Sequence, residues 1–351
     1  MKKHPLLIKK KSRINIFLIL IFVLIGLITS FALFKFIIAS KYDKVKDHEA
    51  FTRAMEMINH QWEYDSNKHK KLDQNIKLPY YLTSSGKYIG IPYCYGGQTS
   101  LNSSNLEGIS GFNDALNKGF VPGNINTKIG YVENTVGVDC SGFVNTVFNI
   151  KERTSTRTMD KYFKEISIKS LKPMDILNSK GKHVYIYLGK TEKGVMILES
   201  TSNGGSKYKD KTVVNFKTNS EFNRDIKNRG YTPMRYKNIK HTNIDKIYDK
   251  YDYNNKEKYA YKIINNTNIS SKLYYLEDVD YFIIKNNKDS FKLSFREFKN
   301  INVTVYNSKE KVEVMPNESV NINLKGDIYI FIKKGKNTQI ESSYTFTIKD
   351  S

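Results

Sequence analysis

"GVDCSGFV", Gly137–Val144, decides how the middle of this chain folds. An acidic residue, a cysteine and two small residues stand ahead of the apolar run "FVNTVFNI". Asp139 in front of such a run is a helix start signal, and Ser141 and Gly142 suit a tight entry. A helix starting at Cys140 turns its free N–H groups and the positive end of its dipole toward the sulfur, which favours a thiolate. Three roles stay open on this stretch alone: a buried spectator, half of a disulfide with Cys94, or a nucleophile. The chain has two cysteines, so no disulfide framework organises it.

A catalytic thiol needs a base. After Cys140 the chain offers His183 and His241. His241 lies in the charged stretch "NIKHTNIDKIYDKYDYNNKEKYAYK", which reads as a linker over residues 241–262. His183 opens "HVYIYLG", whose Val184, Ile186 and Leu188 alternate with His183, Tyr185 and Tyr187. The turn "KTEKG" joins this strand to "VMILEST", which brings Glu199 near the point opposite His183. A carboxylate there fixes the tautomer and orientation of the imidazole, as the third member of a triad does. Periodicity leaves open whether Glu199 or Leu198 faces the histidine, and Asn203 is an alternative acceptor.

"DCSGFV" followed some 40 residues later by "HVYIYLG" resembles the NlpC-type cysteine peptidases of bacterial cell walls. "GIPYCYGG" (Gly90–Gly97), "STRTMDKYF" (Ser155–Phe163) and "LKPMDIL" (Leu171–Leu177) resemble further segments of that family, in the same order. The likeness spans roughly residues 80 to 237. It implies an α+β papain-like domain in which Cys140 is the nucleophile and His183 the general base. It also implies Tyr93 and Tyr95, with Asp139 and Ser141 beside the sulfur, as substrate contacts, and Cys94 as a free thiol. The third member, Glu199 here, is more often His, Asn or Gln in the family. Met174 stands where glycine is usual, and the gap from Gly97 to Cys140 is longer than in compact members. No cofactor or metal is expected.

Outside that domain the chain changes character. "MKKHPLLIKKKSR" carries six Lys/Arg and no acid, and Ile16 to Phe34 then holds no charge. Nineteen residues at ~1.5 Å each approach the ~30 Å hydrocarbon core of a bilayer. The basic cluster on its N-terminal side puts residues 1–13 in the cytoplasm, a transmembrane helix at 14–39 and the remainder outside. A cleaved signal peptide, with a shorter apolar region, is the competing reading. Residues 40–77 read as a stalk with a helix, Phe51, Ala54, Met55, Ile58 and Trp62 recurring at helical spacing. Its His48, His60 and His69 read as solvated. The peptidase domain is expected at 78–240, with residues 98–136, rich in Asn, Gly and Ser, as a surface insertion.

From 263 to 351 short alternating runs recur, among them "DYFIIK", "FKLSF", "NVTVYN", "DIYIFIK" and "YTFTI". They predict a small all-β sandwich. This segment resembles the bacterial pre-peptidase C-terminal domain, and Asp278 and Asp280 match its Asp-x-Asp-aromatic signature. The two aspartates read either as part of a targeting module or as shapers of a turn. Lys and Arg outnumber Asp and Glu by 57 to 35, a formal +22. Outside the cell this excess suits anionic wall polymers and membrane surfaces rather than nucleic acid. The function expected is a membrane-anchored, extracytoplasmic hydrolase of peptidoglycan amide bonds. The alternatives are a wall-binding or assembly protein with an idle peptidase domain, and a transferase using the same thioester chemistry.

Overall fold

The computed structural model describes residues 20–31, 44–71, 73–202, 210–242, 244, 248–249, 251–264, 266–298, 300–315, 318–335 and 341–350. The chain divides into two units, 1–44 and 45–351. Of the first, residues 20–31 are helical and expose Leu20, Phe22 and Leu27. Most of the expected span at 14–39 lies outside the described residues. Among the described residues no helix is long and apolar enough to cross a membrane.

The second unit opens with α1, Asp47–Asn59, which buries Ala50, Ala54, Met57 and Ile58. Strands β1 (Gln61–Tyr64) and β2 (Gly86–Ile89) then form an antiparallel pair. Trp62 therefore sits on a strand, where Trp62 and Tyr64 point inward and Gln61 and Glu63 outward. The segment expected as a stalk is instead folded onto the domain. Arg53 donates to the carbonyl of Val147 at 2.7 Å, and Trp62 Nε1 donates to the carbonyl of Gly90 at 2.8 Å. His69, expected in solvent, is buried between the Asp65 N–H and the Leu116 carbonyl.

The insertion at 98–136 is also folded. It contains α2, Phe112–Asn117, and buries Phe112, Ala115, Leu116, Val121 and Val136. Next comes α3, Cys140–Val147, buried along its whole length. The central sheet follows from β3 (Phe163–Glu165), β4 (Ile176–Ser179), β5 (His183–Lys190), β6 (Gly194–Thr201), β7 (Lys211–Thr218) and, after α4 (Asn219–Asn228), β8 (Tyr231–Tyr236). Their spatial order is β7-β6-β5-β4-β8-β3, antiparallel throughout.

Helix α3 packs on β5 and β6, while Phe222 and Ile226 of α4 cover Tyr185, Tyr187 and Ile197. Both faces of β5 are thus buried, so its aromatic face meets a helix rather than water. Helix α4 starts with a capping box: Thr218 Oγ1 accepts the Glu221 N–H, and the Glu221 carboxylate accepts the Thr218 N–H. Such a cap is worth about 1 kcal/mol. Met174 adopts φ +70°, a left-handed conformation that favours glycine. Beside it Asp175 holds Arg235 through two bonds of 2.8 and 2.7 Å, tying the start of β4 to β8.

Of the stretch expected as a linker at 241–262, the described residues 241–242 and 251–262 are built into the fold as well. His241 lies 3.4 Å from Asp47, and short 3-10 turns form at Asp252–Asn254 and Glu257–Tyr259. Strand β9 (Tyr261–Lys262) begins the C-terminal sheets. The others are β10 (Asn268–Leu273), β11 (Val279–Asn287), β12 (Phe291–Phe298), β13 (Ile301–Tyr306), β14 (Lys311–Val314), β15 (Ser319–Ile322), β16 (Gly326–Lys334) and β17 (Ser342–Asp350). They make a five-stranded sheet, β9-β11-β16-β13-β14, and a four-stranded one, β10-β17-β12-β15. One apolar core, with Phe282, Phe291, Ile330 and Phe346, is shared between them.

Asp278 accepts the Tyr274 N–H at 2.6 Å and closes the turn before β11, and the Tyr344 hydroxyl donates to Asp280. Burial pushes the Asp278 carboxyl up to about 7.

Candidate active site

The site starts from how the chain enters α3. "GIPYCYGG" wraps the segment 137–139: the Val138 N–H donates to Pro92, the Cys94 N–H to Val138, and the Asp139 N–H to Gly97. From β6, Ser200 Oγ donates to the Val138 carbonyl at 2.8 Å, anchoring the same segment to the sheet. Asp139 is the N-cap of α3. Its Oδ1 accepts the Gly142 N–H at 2.6 Å and the Ser141 hydroxyl at 2.8 Å, and its Oδ2 accepts the Gly96 N–H at 3.0 Å. Arg153 lies 3.3 Å from the same Oδ2.

These contacts place Asp139 and Ser141 at the helix entry, where both are buried.

Gly142 matters for its missing side chain. A Cβ there would stand 2.1 Å from the Gly97 carbonyl oxygen, far inside contact distance, and only backbone movement relieves the clash. Gly142→Ala is expected to cost about 1–3 kcal/mol of stability. By displacing Cys140 it should also lower turnover roughly 10²-fold. Thermal unfolding and initial rates check the two effects separately.

Cys140 is the first residue of α3 and 7% exposed. Its N–H has no intrahelical acceptor, as holds for any first helical residue, and is available to a developing oxyanion. His183, the first residue of β5, lies near enough to Cys140 for the cysteine to raise its pKa. Its Nε2 lies 2.8 Å from Glu199 Oε2. The hairpin register pairs Ile186 with Leu198. Extended by one residue, it sets Tyr185 opposite Glu199 and makes His183 the diagonal neighbour on the same face. This answers the question that periodicity left open: Glu199 faces the imidazole and Leu198 does not. Asn203 lies outside the described residues.

Glu199 is 6% exposed along its side chain, and both of its oxygens are engaged. Asn215, on β7, donates to Oε1 at 2.7 Å. Sequence reasoning missed Asn215, because which strand lies beside β6 follows from the fold and not from any local pattern.

Burial opposes charge on His183, yet the Cys140 charge, its hydrogen bond and the Glu199 carboxylate outweigh burial and raise its pKa to about 10. Burial likewise opposes charge on Glu199, but the hydrogen bond and charge of His183, then Lys217 and Asn215, bring it down to about 2. At neutral pH the pair is an imidazolium held by a carboxylate, and an imidazolium beside a thiol is the arrangement that supplies a nucleophilic sulfur.

Tyr93 and Tyr95 line the cleft that His183 and Glu199 also line. Tyr93 is hydrogen-bonded to Ser202, and burial followed by the charge of Cys140 pushes its hydroxyl well above the usual tyrosine range. Cys94 is a free thiol, 3.2 Å from Thr135 Oγ1, and burial pushes it up to about 12. It has no place in the cleft. Among the described residues no group of three or more His, Cys, Asp or Glu is arranged to hold a metal ion.

Residues 90–219 match the model of the NlpC/P60 family. The match contains Cys140, His183, Glu199 and Asn215. No curated protein matches the chain. Among solved structures the chain is similar to the pre-peptidase C-terminal domain of collagenase from Bacillus anthracis, at 20% identity and TM-score 0.22, over 26% of this chain and 94% of that one. It is also similar to PliG of Salmonella Typhimurium, a periplasmic inhibitor of g-type lysozyme, at 11% identity and TM-score 0.22, over 26% of this chain and 96% of that one.

Proposed function

We propose that the chain is a cysteine peptidase or amidase of peptidoglycan, anchored in the cell membrane by residues 14–39 with its catalytic domain outside. The observation that carries the reaction class is the line Cys140–His183–Glu199 beside a cleft walled by Tyr93 and Tyr95. The sulfur attacks the amide carbonyl, and the α3 N–H groups stabilise the oxyanion. As the C–N bond breaks, the amine leaves with the proton of His183, and the acyl group stays on Cys140 as a thioester. His183, now neutral, takes a proton from water while the water oxygen attacks the thioester. A carboxylic acid departs and the thiolate–imidazolium pair is restored.

The family match supports the wall peptide as substrate class. The apolar run Ile16 to Phe34 behind a basic cluster supports the anchor.

Purified peptidoglycan incubated with the full chain should release fragments that carry one new amine and one new carboxyl group at a single kind of amide bond, read by mass spectrometry. Undigested wall would contradict the reading. The anchor predicts that the full chain sediments with membranes and that a chain starting at Val45 does not. Release of the full chain by salt alone would contradict it.

A further inference from the structure

The steps proposed above give Asn215 no task, yet it grips the carboxylate on which they depend. Strands β5, β6 and β7 lie side by side, and Glu199 on β6 pairs across with Val213 on β7. Asn215 is therefore its diagonal neighbour on β7, as His183 is on β5. The carboxylate is held from both sides. Its Oε2 lies 2.8 Å from His183 Nε2, and its Oε1 accepts a bond from Asn215 Nδ2 at 2.7 Å.

The Asn215 amide is itself oriented. Its Oδ1 accepts the N–H of Phe216 at 2.9 Å, which turns Nδ2 toward the carboxylate. The Phe216 ring lies 6.0 Å from the rings of Tyr253 and Tyr259 in the stretch before β9, and Tyr259 also lines the cleft. At the start of β7 Lys211 meets Glu277 at 2.7 Å. The strand that carries Asn215 is thus held by the C-terminal part as well as by β6.

A buried carboxylate needs partners for both oxygens, and an amide supplies one without adding charge. An ammonium or guanidinium at the same place would compete with the imidazolium for the anion. Glu199 also faces Tyr185 on β5, Lys217 on β7 and Tyr231 on β8. Lys217 is drawn to Asp225 of α4 at 2.9 Å, and Cys140 of α3 acts on His183.

We infer that Asn215 is a positioning residue of the proposed reaction: by holding Oε1 it keeps Oε2 aimed at His183, so that imidazolium and carboxylate stay paired while the sulfur reacts. The inference rests on the reading of Cys140, His183 and Glu199 as the reacting line.

The test replaces Asn215 in the full chain by leucine, similar in size and without a donor, and by glutamine, which keeps the amide. Asn215 lines the cleft, so one more methylene has room. In Asn215→Leu, loss of a hydrogen bond to an anion should lower kcat on a stem peptide roughly 10- to 100-fold with KM little changed. The pH range in which the pair is charged should also narrow from both ends. Glu199 loses a donor to its charged form, so its pKa rises from about 2. His183 loses a well-aimed anion, so its pKa falls from about 10.

The His183 value is read without turnover, by NMR titration of the chain carrying isotope-labelled histidine, with His183→Gln to assign the signal. The expected result is a fall of about one unit or more in Asn215→Leu, recovered at least in part in Asn215→Gln. A merely structural role would lower the rate at every pH and leave this titration where it was. An unmoved titration in Asn215→Leu, or a fall that Asn215→Gln does not correct, would overturn the inference. A shift as expected in a chain whose unmodified form cleaves no wall peptide would support the role of Asn215 and sink the hydrolase reading instead.

Discussion

Cys140→Ala should reduce amide hydrolysis by roughly 10⁴-fold or more, to the background left by binding and the α3 N–H groups. No other thiol can substitute. Cys94 is fully buried, its sulfur faces Thr135, and burial pushes its pKa up to about 12. Cys94→Ala should therefore keep wild-type turnover. Cys140→Ala should also keep the fold, because the sulfur contributes no bond to the entry of α3; Asp139, Gly97 and Ser200 make those contacts. A single assay on peptidoglycan with both alanine variants separates loss of chemistry from loss of structure. If Cys140→Ala still cleaves, the nucleophile is elsewhere.

Glu199→Gln should have the second largest effect, and its signature is a change in pH dependence. The neutral amide keeps the shape but removes the anion that holds His183 at 2.8 Å. Turnover should fall roughly 10²- to 10⁴-fold, as in triads whose orienting carboxylate is replaced by its amide.

With Glu199 in place, His183 stays charged to about pH 10, so the alkaline limb of kcat/KM should lie near that pH. In Glu199→Gln it should move to lower pH. An unchanged limb would mean that Glu199 does not act through the imidazole.

Linkage adds a check on stability. The folded pKa of His183 is raised, so the stabilisation from its charged form is complete below 6.5 and is lost as pH rises through about 10. The folded pKa of Glu199 is depressed, so its share is present above 4.5 and is lost as pH falls through about 2. The unmodified chain should lose stability at both extremes for this reason. Glu199→Gln should lose the acid limb that Glu199 contributes.

The line Cys140–His183–Glu199 was legible because each member sits on a local pattern. Cys140 follows a cap residue, His183 opens an alternating strand, and Glu199 belongs to the next strand of a hairpin with a short turn. The C-terminal strands were legible for the same reason, since alternation marks "DYFIIK" and "DIYIFIK" whatever they pair with. Lys311–Val314 and Tyr261–Lys262 escaped notice because a short, charged edge strand carries little alternation.

What failed was the reading of polar segments as connections. Residues 251–254 look like linker, yet Tyr251 and Tyr253 bury their rings and Asp252 and Asn254 are buried beside them. Tyrosine frequency was the signal available there, since a solvated linker has little use for aromatic rings. Around Trp62 the helical period runs on by coincidence, although "QWEY" alternates in a strand period that also fits. Residues 256–259 reach the cleft only because the C-terminal sheets dock beside β7. No pattern within the linker encodes that contact.

The central claim is that His183, held charged by Glu199, keeps Cys140 reactive. The rate at which iodoacetamide modifies Cys140 in the full chain, followed by peptide mass spectrometry from pH 5 to 9, tests it most directly. Modification at Cys140 should be fast, slowed strongly in His183→Ala, and absent at buried Cys94. A rate indifferent to His183→Ala, or equal modification of Cys94, would contradict it.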